Sequence, residues 1–316
     1  MSIVCFGEAL IDFLSDGKMP ESFTKYAGGA PANVAVAAAK LGVPSSFCGM
    51  LGDDMFGQFL LQELTSLGVN TQYCRFTTEA KTALAFVSLD QHGERSFSFY
   101  RPPAADLLFR AEDFAKEMFE THKVLHVCSN SLTENNIYKT TVLALQKAKE
   151  QGMLRSFDMN LRENLWQSTR HLLARVWHVM ALSDIVKLSQ EELTYLNHHS
   201  HTEEPEEHTI HAILGAGVKL LVITNGSQPI RYFTASLSGQ VDVPKVKAVD
   251  TTAAGDAFVG GLLAKVSAHS SVFDFNASLN HRTQIEAWLE FASRCGAFAV
   301  TKKGAFASLP TQQDMC

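Results

Sequence analysis

Apolar residues fall along this chain in two rhythms. One is a short unbroken run closed by glycine or a polar residue, as in Ile3-Val4-Cys5-Phe6 before Gly7. Such a run is too short for a helix and apolar throughout, so it predicts a strand covered on both faces. The other rhythm returns an apolar residue at every third or fourth place, as in Phe56, Phe59, Leu60, Leu64 and Leu67, and predicts a helix with one buried face. Further short runs at 46–49, 124–127, 155–157, 185–188 and 220–224 read as strands, the last four each followed by a helical stretch. That alternation predicts a mostly parallel sheet with helices on both faces. Between 84 and 101 the period shortens to two, with strict alternation of Ser and Phe around Ser96-Phe97-Ser98-Phe99. This predicts a β-hairpin with a turn at Asp90-Gln91-His92-Gly93, one face dry and the other wet, standing as a flap beside the sheet.

Polar residues cluster where an open parallel sheet collects its ligands, at the carboxyl ends of the strands. The candidates there are Asp158-Met159-Asn160-Leu161-Arg162, Lys187-Leu188-Ser189-Gln190-Glu191-Glu192 and Thr224-Asn225-Gly226. Arg162 reads either as a clamp on phosphate oxygens or as the partner of Asp158 or Glu163. Ser189 and Glu192 have capping-box spacing. Of the paired acids Asp53 and Asp54, one is expected to cap the helix that follows. Near the amino terminus, Gly28-Gly29-Ala30-Pro31 leads into an alanine-rich helix with Asn33 in its first turn; adjacent glycines there expose backbone N–H groups to a ligand.

The stretch Asp250-Thr251-Thr252-Ala253-Ala254-Gly255-Asp256 holds the strongest chemistry. Its small residues open a helix whose apolar face is Phe258, Leu262, Leu263 and Val266. A helix start presents unpaired N–H groups and a positive dipole end, a place suited to phosphate. Asp256 in that first turn reads as a simple cap, or as a base that takes a proton from an attacking hydroxyl.

This stretch resembles the signature Asp-Thr-x-Gly-Ala-Gly-Asp of the ribokinase-like (PfkB) carbohydrate kinases, with Ala253 where that family has glycine. Gly28-Gly29 followed by Asn33 is similar to the family's amino-terminal signature, and the resemblance spans essentially the whole chain. It implies one α/β kinase domain over 1–316, with a three-layer ribokinase-like fold, a mostly parallel central sheet and a small β-sheet lid drawn from about 13–27 and 82–106. By the same resemblance Asp256 is the catalytic base, Ala253, Ala254 and Gly255 form an anion hole, and Arg162 steadies the transferring phosphate. Asp12, Gly28, Gly29 and Asn33 bind the sugar, with Phe99 and Arg101 as further contacts. Lys187, Glu192, Thr224, Gly226, Ser293 and Gly296 lie on the nucleotide side. Asp250, Thr252, Ala299 and Gly304 enclose a monovalent cation such as K+. ATP and Mg2+ are implied, as is a homodimer contact through the lid. Phe99-Tyr100-Arg101-Pro102 with Ala105-Asp106 is most similar to the fructokinase and 2-keto-3-deoxygluconate kinase branches. The expected reaction is phosphorylation of a primary hydroxyl of a small sugar, fructose first. The keto acid or a riboside stands as an alternative substrate, and a non-catalytic sugar-binding regulator as an alternative of another class.

Composition narrows these readings. Hydrophobic residues make up 46% and charged residues 19% of 316, as in ordinary soluble folded chains. With 27 Lys and Arg against 33 Asp and Glu the net charge is -6, so no overall basic field recommends nucleic acid or an acidic membrane, and phosphate must be held locally. Neither a Gly-x-x-x-x-Gly-Lys-Ser/Thr loop nor a full dinucleotide glycine fingerprint is present around Gly215-Ala216-Gly217. The six cysteines are scattered without a Cys-x-x-Cys pair, and no signal peptide or membrane-spanning run is evident, which points to the cytoplasm. The histidines of 197–211, His201 among them, lack a second cluster to complete a metal set and read as a solvated loop and helix edge.

Overall fold

A computed structural model describes residues 2–18, 20–89, 95–101, 103–199, 206–268 and 271–316. The chain opens with β1 (Ile3–Phe6), β2 (Leu10–Ser15) and β3 (Phe23–Gly28), then α1 (Ala30–Lys40), β4 (Ser45–Gly52), α2 (Met55–Ser66) and β5 (Asn70–Thr77). Next come β6 (Leu84–Leu89), β7 (Arg95–Tyr100), α3 (Lys116–Thr121), β8 (Val124–Cys128), α4 (Asn135–Glu150), β9 (Leu154–Asp158) and α5 (Thr169–Ala181). β10 (Ile185–Ser189), α6 (Gln190–His198), α7 (Glu206–Gly215) and β11 (Leu220–Asn225) continue the alternation. It gives way to β12 (Gln228–Phe233) and β13 (Ser238–Val241), and the chain closes with α8 (Ala254–Val266), α9 (Val272–Ser278) and α10 (Arg282–Ala299).

Nine strands form one sheet in the order β13-β12-β11-β10-β9-β8-β1-β4-β5, parallel from β11 to β5. Successive side chains of a strand point to opposite faces, and here they enter two cores. Ile3 and Cys5 pack with α1, α2, α8 and α10, while Val4 and Phe6 pack with α4, α5, α6 and α7. The result is the helix–sheet–helix layering that the apolar rhythm predicts. One expectation fails: β11 is followed by an antiparallel return, not by a helix. Asn225 pairs with Gln228 across a two-residue turn in which Gly226 has φ 53°. Asn-Gly at a strand end is a hairpin signal, and it overrides the strand–helix rhythm there.

A second sheet of four strands, β3-β2-β6-β7, stands apart. It is the small sheet that the resemblance implies, and its first strand already begins at Leu10, so Asp12 lies within β2, opposite Tyr26 of β3. The hairpin is antiparallel with Leu84 opposite Tyr100; its turn at 90–93 and Pro102 lie outside the described residues. Of the alternation along β7, half-buried Phe99 stands between exposed Ser98 and Tyr100. No helix among the described residues is long and apolar enough to cross a membrane.

Candidate active site

Two helix starts converge under the small sheet. At the first, Gly29 is the N-cap of α1 with φ 104° and Pro31 lies in the opening turn. A side chain at Gly29 would come within 2.6 Å of the Glu8 carbonyl oxygen, so glycine is required by both conformation and space. Gly28 has a different reason to be bare: a Cβ there would collide with the Asp12 carboxylate, which lies across it.

The second start is that of α8. Ala253 is its N-cap with φ -109° and ψ 18°, a conformation open to any L-residue. Alanine in place of the family's glycine is therefore accommodated without strain. The amides of the first turn have no carbonyl four residues back within the helix, and Ala254 N donates instead to the Thr251 carbonyl at 3.3 Å; Thr251, Thr252 and Asp256 line a cavity that Ala253, Ala254 and Gly255 do not line. Asp256 does not cap the helix end. Instead it accepts a hydrogen bond at 2.7 Å on Oδ2 from Asn33 Nδ2 of α1. Burial raises the Asp256 carboxyl to about 7, helped by Asp158 and opposed by the Asn33 bond, Lys187 and Arg162. Burial likewise raises Asp12 to about 7, with Arg162 opposing and Asp250 adding to the shift. Carboxyls poised near neutrality inside a cavity are a mark of acid–base work.

Both acids line a cavity of about 840 Å³, together with the predicted Gly29, Asn33, Phe99, Arg162 and Thr252. Glu8, Asn130, Glu163 and Asn164 also line it and were not foreseen as site residues, while Asn160, named among the polar candidates after the 155–157 strand, lines it too. Asn160 carried a structural signal that sequence does not display, a φ of 37° in a residue other than glycine. Glu8 is buried, accepts from Asn130 Nδ2 at 2.8 Å, and is raised by burial although Arg101 opposes the shift. Arg101 itself corrects the expectation of either a substrate contact or a surface residue. It is 6% exposed, does not line the cavity, and is held by Asp106 at 2.6 Å and the Asn130 carbonyl at 2.9 Å. A guanidinium so far from water needs its carboxylate, and Asp106 provides it. Arg162, in contrast, is exposed at the cavity edge, bonds only the Leu161 carbonyl and forms no ion pair among the described residues.

Beneath the α8 start lies a buried cluster of charges. Lys187 of β10 reaches Asp158 of β9 at 3.1 Å, and its Nζ would lie 3.2 Å from a Cβ on Gly255. Burial works against the lysine's charge, but Asp158 and Glu192 hold its pKa above the usual value. Ser189 and Glu192 form the expected capping box at the start of α6. The Glu192 carboxylate also accepts from Leu161 N at 2.6 Å and Ser189 N at 2.7 Å, so it fixes the turn that carries Arg162. Thr224 leans on the Leu188 carbonyl at 3.4 Å. Ser293 is buried with no hydrogen-bond partner for its hydroxyl among the described residues. Gly296 lets α10 approach α8, since a Cβ there would be 3.2 Å from the Ala254 carbonyl oxygen. None of Lys187, Glu192, Thr224, Gly226, Ser293 or Gly296 lines the large cavity.

Asp250 is buried and gathers a third group. Its carboxylate accepts from Thr252 N at 2.9 Å and Thr252 Oγ1 at 2.5 Å, and from Gly304 N at 3.0 Å. Its own N–H donates to the Val300 carbonyl at 3.1 Å, while the Ala299 carbonyl accepts from Lys302 N at 3.2 Å. Among the described residues no group of three or more His, Cys, Asp or Glu could hold a metal unaided; His201 lies outside them.

The chain matches the pfkB family carbohydrate kinase pattern over residues 1–312. It is 40% identical to the probable fructokinase-5 of Arabidopsis thaliana, over 99% of this chain and 95% of that protein. Among solved structures, the fructokinase of Xylella fastidiosa with bound ATP is similar with a TM-score of 0.96 and 43% identity, over 99% of this chain and 96% of the other. A double mutant of the Vibrio cholerae O395 fructokinase, bound to fructose, ADP and a potassium ion, gives 0.89 at 37% identity, over 99% and 96%. Both sequence signatures meet in one cavity, and the likeness runs the full length: the chain belongs to the pfkB family of carbohydrate kinases.

Proposed function

We propose that this protein transfers the γ-phosphoryl group of ATP to a primary hydroxyl of fructose, giving fructose 6-phosphate. The observation that carries the reading is the 2.7 Å hydrogen bond from Asn33 to Asp256. It sets a polyol-binding amide at one helix start against the acid at the other, inside a cavity that Asp12 also enters. Asp256 accepts the proton of the attacking hydroxyl as its oxygen bonds the γ-phosphorus and the bond from that phosphorus to the β,γ-bridging oxygen breaks, so that ADP leaves. A phosphoryl-transfer transition state needs little activation of the nucleophile, so positioning and charge stabilisation supply most of the rate. The amides at the start of α8, with Gly255 and Asp256 N–H free of an intrahelical partner, and the buried Lys187 are assigned to the migrating charge, and the exposed guanidinium of Arg162 is within reach of the cavity. Asp12, Gly29 and Asn33 orient the sugar, and Gly28 makes room for Asp12. The small sheet lies over the cavity as its lid and excludes water. The chain acts as a single domain, with 10–28 and 84–100 as the lid.

The wall of the cavity selects among sugars. Glu8, Asp12, Glu163 and Asp256 line it, with Arg162 as the one lining cation among the described residues; even with Asp12 and Asp256 partly protonated near pH 7, this acidic wall disfavours the carboxylate of 2-keto-3-deoxygluconate. Like charges brought together cost several kcal/mol, so fructose is expected to exceed the keto acid in kcat/KM by at least about tenfold. An ADP-release assay over fructose, the keto acid and ribosides checks this. Preference for the acid would overturn the choice of sugar, and silence with every sugar would favour the non-catalytic regulator.

Mg2+ fits as a companion of the nucleotide: this ion keeps several waters and is shared between phosphates and one or two carboxylates, for which Asp158 and Glu192, the two acids beside Lys187, are the candidates. Bound there it would neutralise phosphate charge. Asp250 and Thr252 supply the hard oxygen donors that suit K+, with Gly304 and Ala299 closing the same loop. Six free thiols support a reducing compartment, the cytoplasm. The face of the lid turned from the cavity supports a homodimer, because Phe23, Phe86 and Tyr100 form a run of ring contacts there, with Phe23 and Tyr100 exposed and Phe13 anchoring the run on Phe56 of α2.

A further inference from the structure

The lid touches the body of the protein at a point outside the large cavity. Tyr26 of β3 lies against Gly304, in the loop after α10; a Cβ on Gly304 would be 3.0 and 3.2 Å from two ring atoms of Tyr26. Gly304 has φ 87°, so a bare residue is needed there both for the backbone and for the ring. Around this contact the two parts stand off from each other, leaving a cavity of about 180 Å³ with Leu14, Asp16 and Thr24 on the lid side and Asp250 and Lys303 on the other. Tyr26 is thus a support on the cavity side of the lid, whose other face rests on α2 through Phe13 against Phe56 and Lys25 over Phe59.

What lies at each end of this contact gives it meaning. Tyr26 is the cross-strand neighbour of Asp12, and residues directly opposite on paired strands share a face. A sugar that engages Asp12 therefore acts on the strand pair that carries Tyr26. On the other side, Gly304 N donates to Asp250, whose carboxylate also grips Thr252 through two hydrogen bonds. Thr252 lines the large cavity and directly precedes Ala253, the N-cap of α8. A chain of direct contacts runs from Asp12 through Tyr26, Gly304, Asp250 and Thr252 to the helix start that holds Asp256.

The geometry points to Tyr26 as a positioning residue that couples sugar binding in the lid to the order of the α8 start, where the nucleotide phosphates are received. It rests on the kinase reading above and adds a path by which the two substrates favour each other. Tyr26 touches neither reacting group and acts through the 250–252 turn. Only the aromatic ring is needed, since the contact is with ring carbons.

The test is a binding cycle with fructose and a non-hydrolysable ATP analogue, using wild type, Tyr26→Phe, Tyr26→Leu and Tyr26→Ala. Fructose is expected to tighten binding of the analogue to wild type by about fivefold or more, the lower range of ordinary coupling between sites. Tyr26→Phe keeps that ratio, while Tyr26→Leu and Tyr26→Ala bring it below about twofold with fructose affinity in the absence of analogue largely retained. Hydrogen exchange gives the same answer locally: fructose protects the amides of 250–256 in wild type and Tyr26→Phe but not in Tyr26→Ala. Thermal melting of each variant identifies any loss due to unfolding, and Tyr26→Leu, which keeps side-chain bulk, carries the test if Tyr26→Ala does not fold. A wild-type ratio of one, or a Tyr26→Leu ratio equal to wild type, overturns the coupling. Absence of sugar-dependent ADP release by wild type overturns the kinase reading instead, so the two failures are told apart.

Discussion

Asp256, the proposed base, sets function against stability. Its carboxyl is raised to about 7 by burial, so the folded state holds a proton that the unfolded chain has released above about pH 4. The stability linked to that proton is fully present below the unfolded value and is lost as pH rises through about 7, where the buried charge becomes a standing cost. Replacing the acid with its neutral isostere should therefore separate the two properties. Asp256→Asn is expected to lower kcat by about 10²- to 10⁴-fold, the span of general-base contributions. The same variant should be more stable than wild type at pH 8, by on the order of a few kcal/mol, with the difference vanishing near pH 4. Steady-state kinetics and thermal melts at the two pH values check the pair, and a variant that keeps wild-type turnover would remove Asp256 from the chemistry. In wild type, kcat/KM should fall as pH drops through about 7, when the base is protonated.

Helix and strand ends set the site. Asp54, not Asp53, caps α2, accepting from Phe56 N at 3.0 Å and Gly57 N at 2.9 Å on one oxygen and from Thr82 N at 2.9 Å on the other. Burial alone would raise its pKa, but these bonds hold the carboxyl below its usual range. Asp54→Ala should cost about 1 to 2 kcal/mol of stability at pH 7, a lost cap together with a lost tie to the strand that enters the lid. The loss should shrink as pH falls through the carboxylate range, since a depressed pKa contributes stability only above it. Urea unfolding at pH 7 and pH 3 measures both. The capping box at Ser189 and Glu192 was legible from spacing, because capping is a local exchange of hydrogen bonds. What Glu192 does beyond it was not, because Leu161 N, its other donor, comes from a different strand–helix unit.

The arrangement of sheets carries the remaining consequences. β7 and β3 are the two edges of the small sheet, and unpaired edges beside exposed rings invite a second chain. Tyr100→Ser with Phe23→Ser should shift the protein from dimer toward monomer in light scattering, and a wild type that is monomeric at micromolar concentration would end that reading. Arg101 illustrates the opposite outcome. A textual position at a strand end suggested a residue facing substrate or solvent, yet the turn that brings Asp106 back and the approach of Asn130 enclose it.

Most of the strand–helix alternation, the two small-residue helix starts and the period-two flap were determined by the sequence itself, because apolar rhythm, glycine conformation and capping act over a few residues; the antiparallel return after β11 departs from that rhythm. Tertiary structure decided the rest: that Asn33 meets Asp256 across 223 positions, that Glu8 and Asn130 join the wall, that Arg101 is withdrawn from it, and that Tyr26 rests on Gly304. Each of these depends on which surfaces the packed sheet brings together and on the removal of water that follows, and neither quantity is carried by any local stretch of chain.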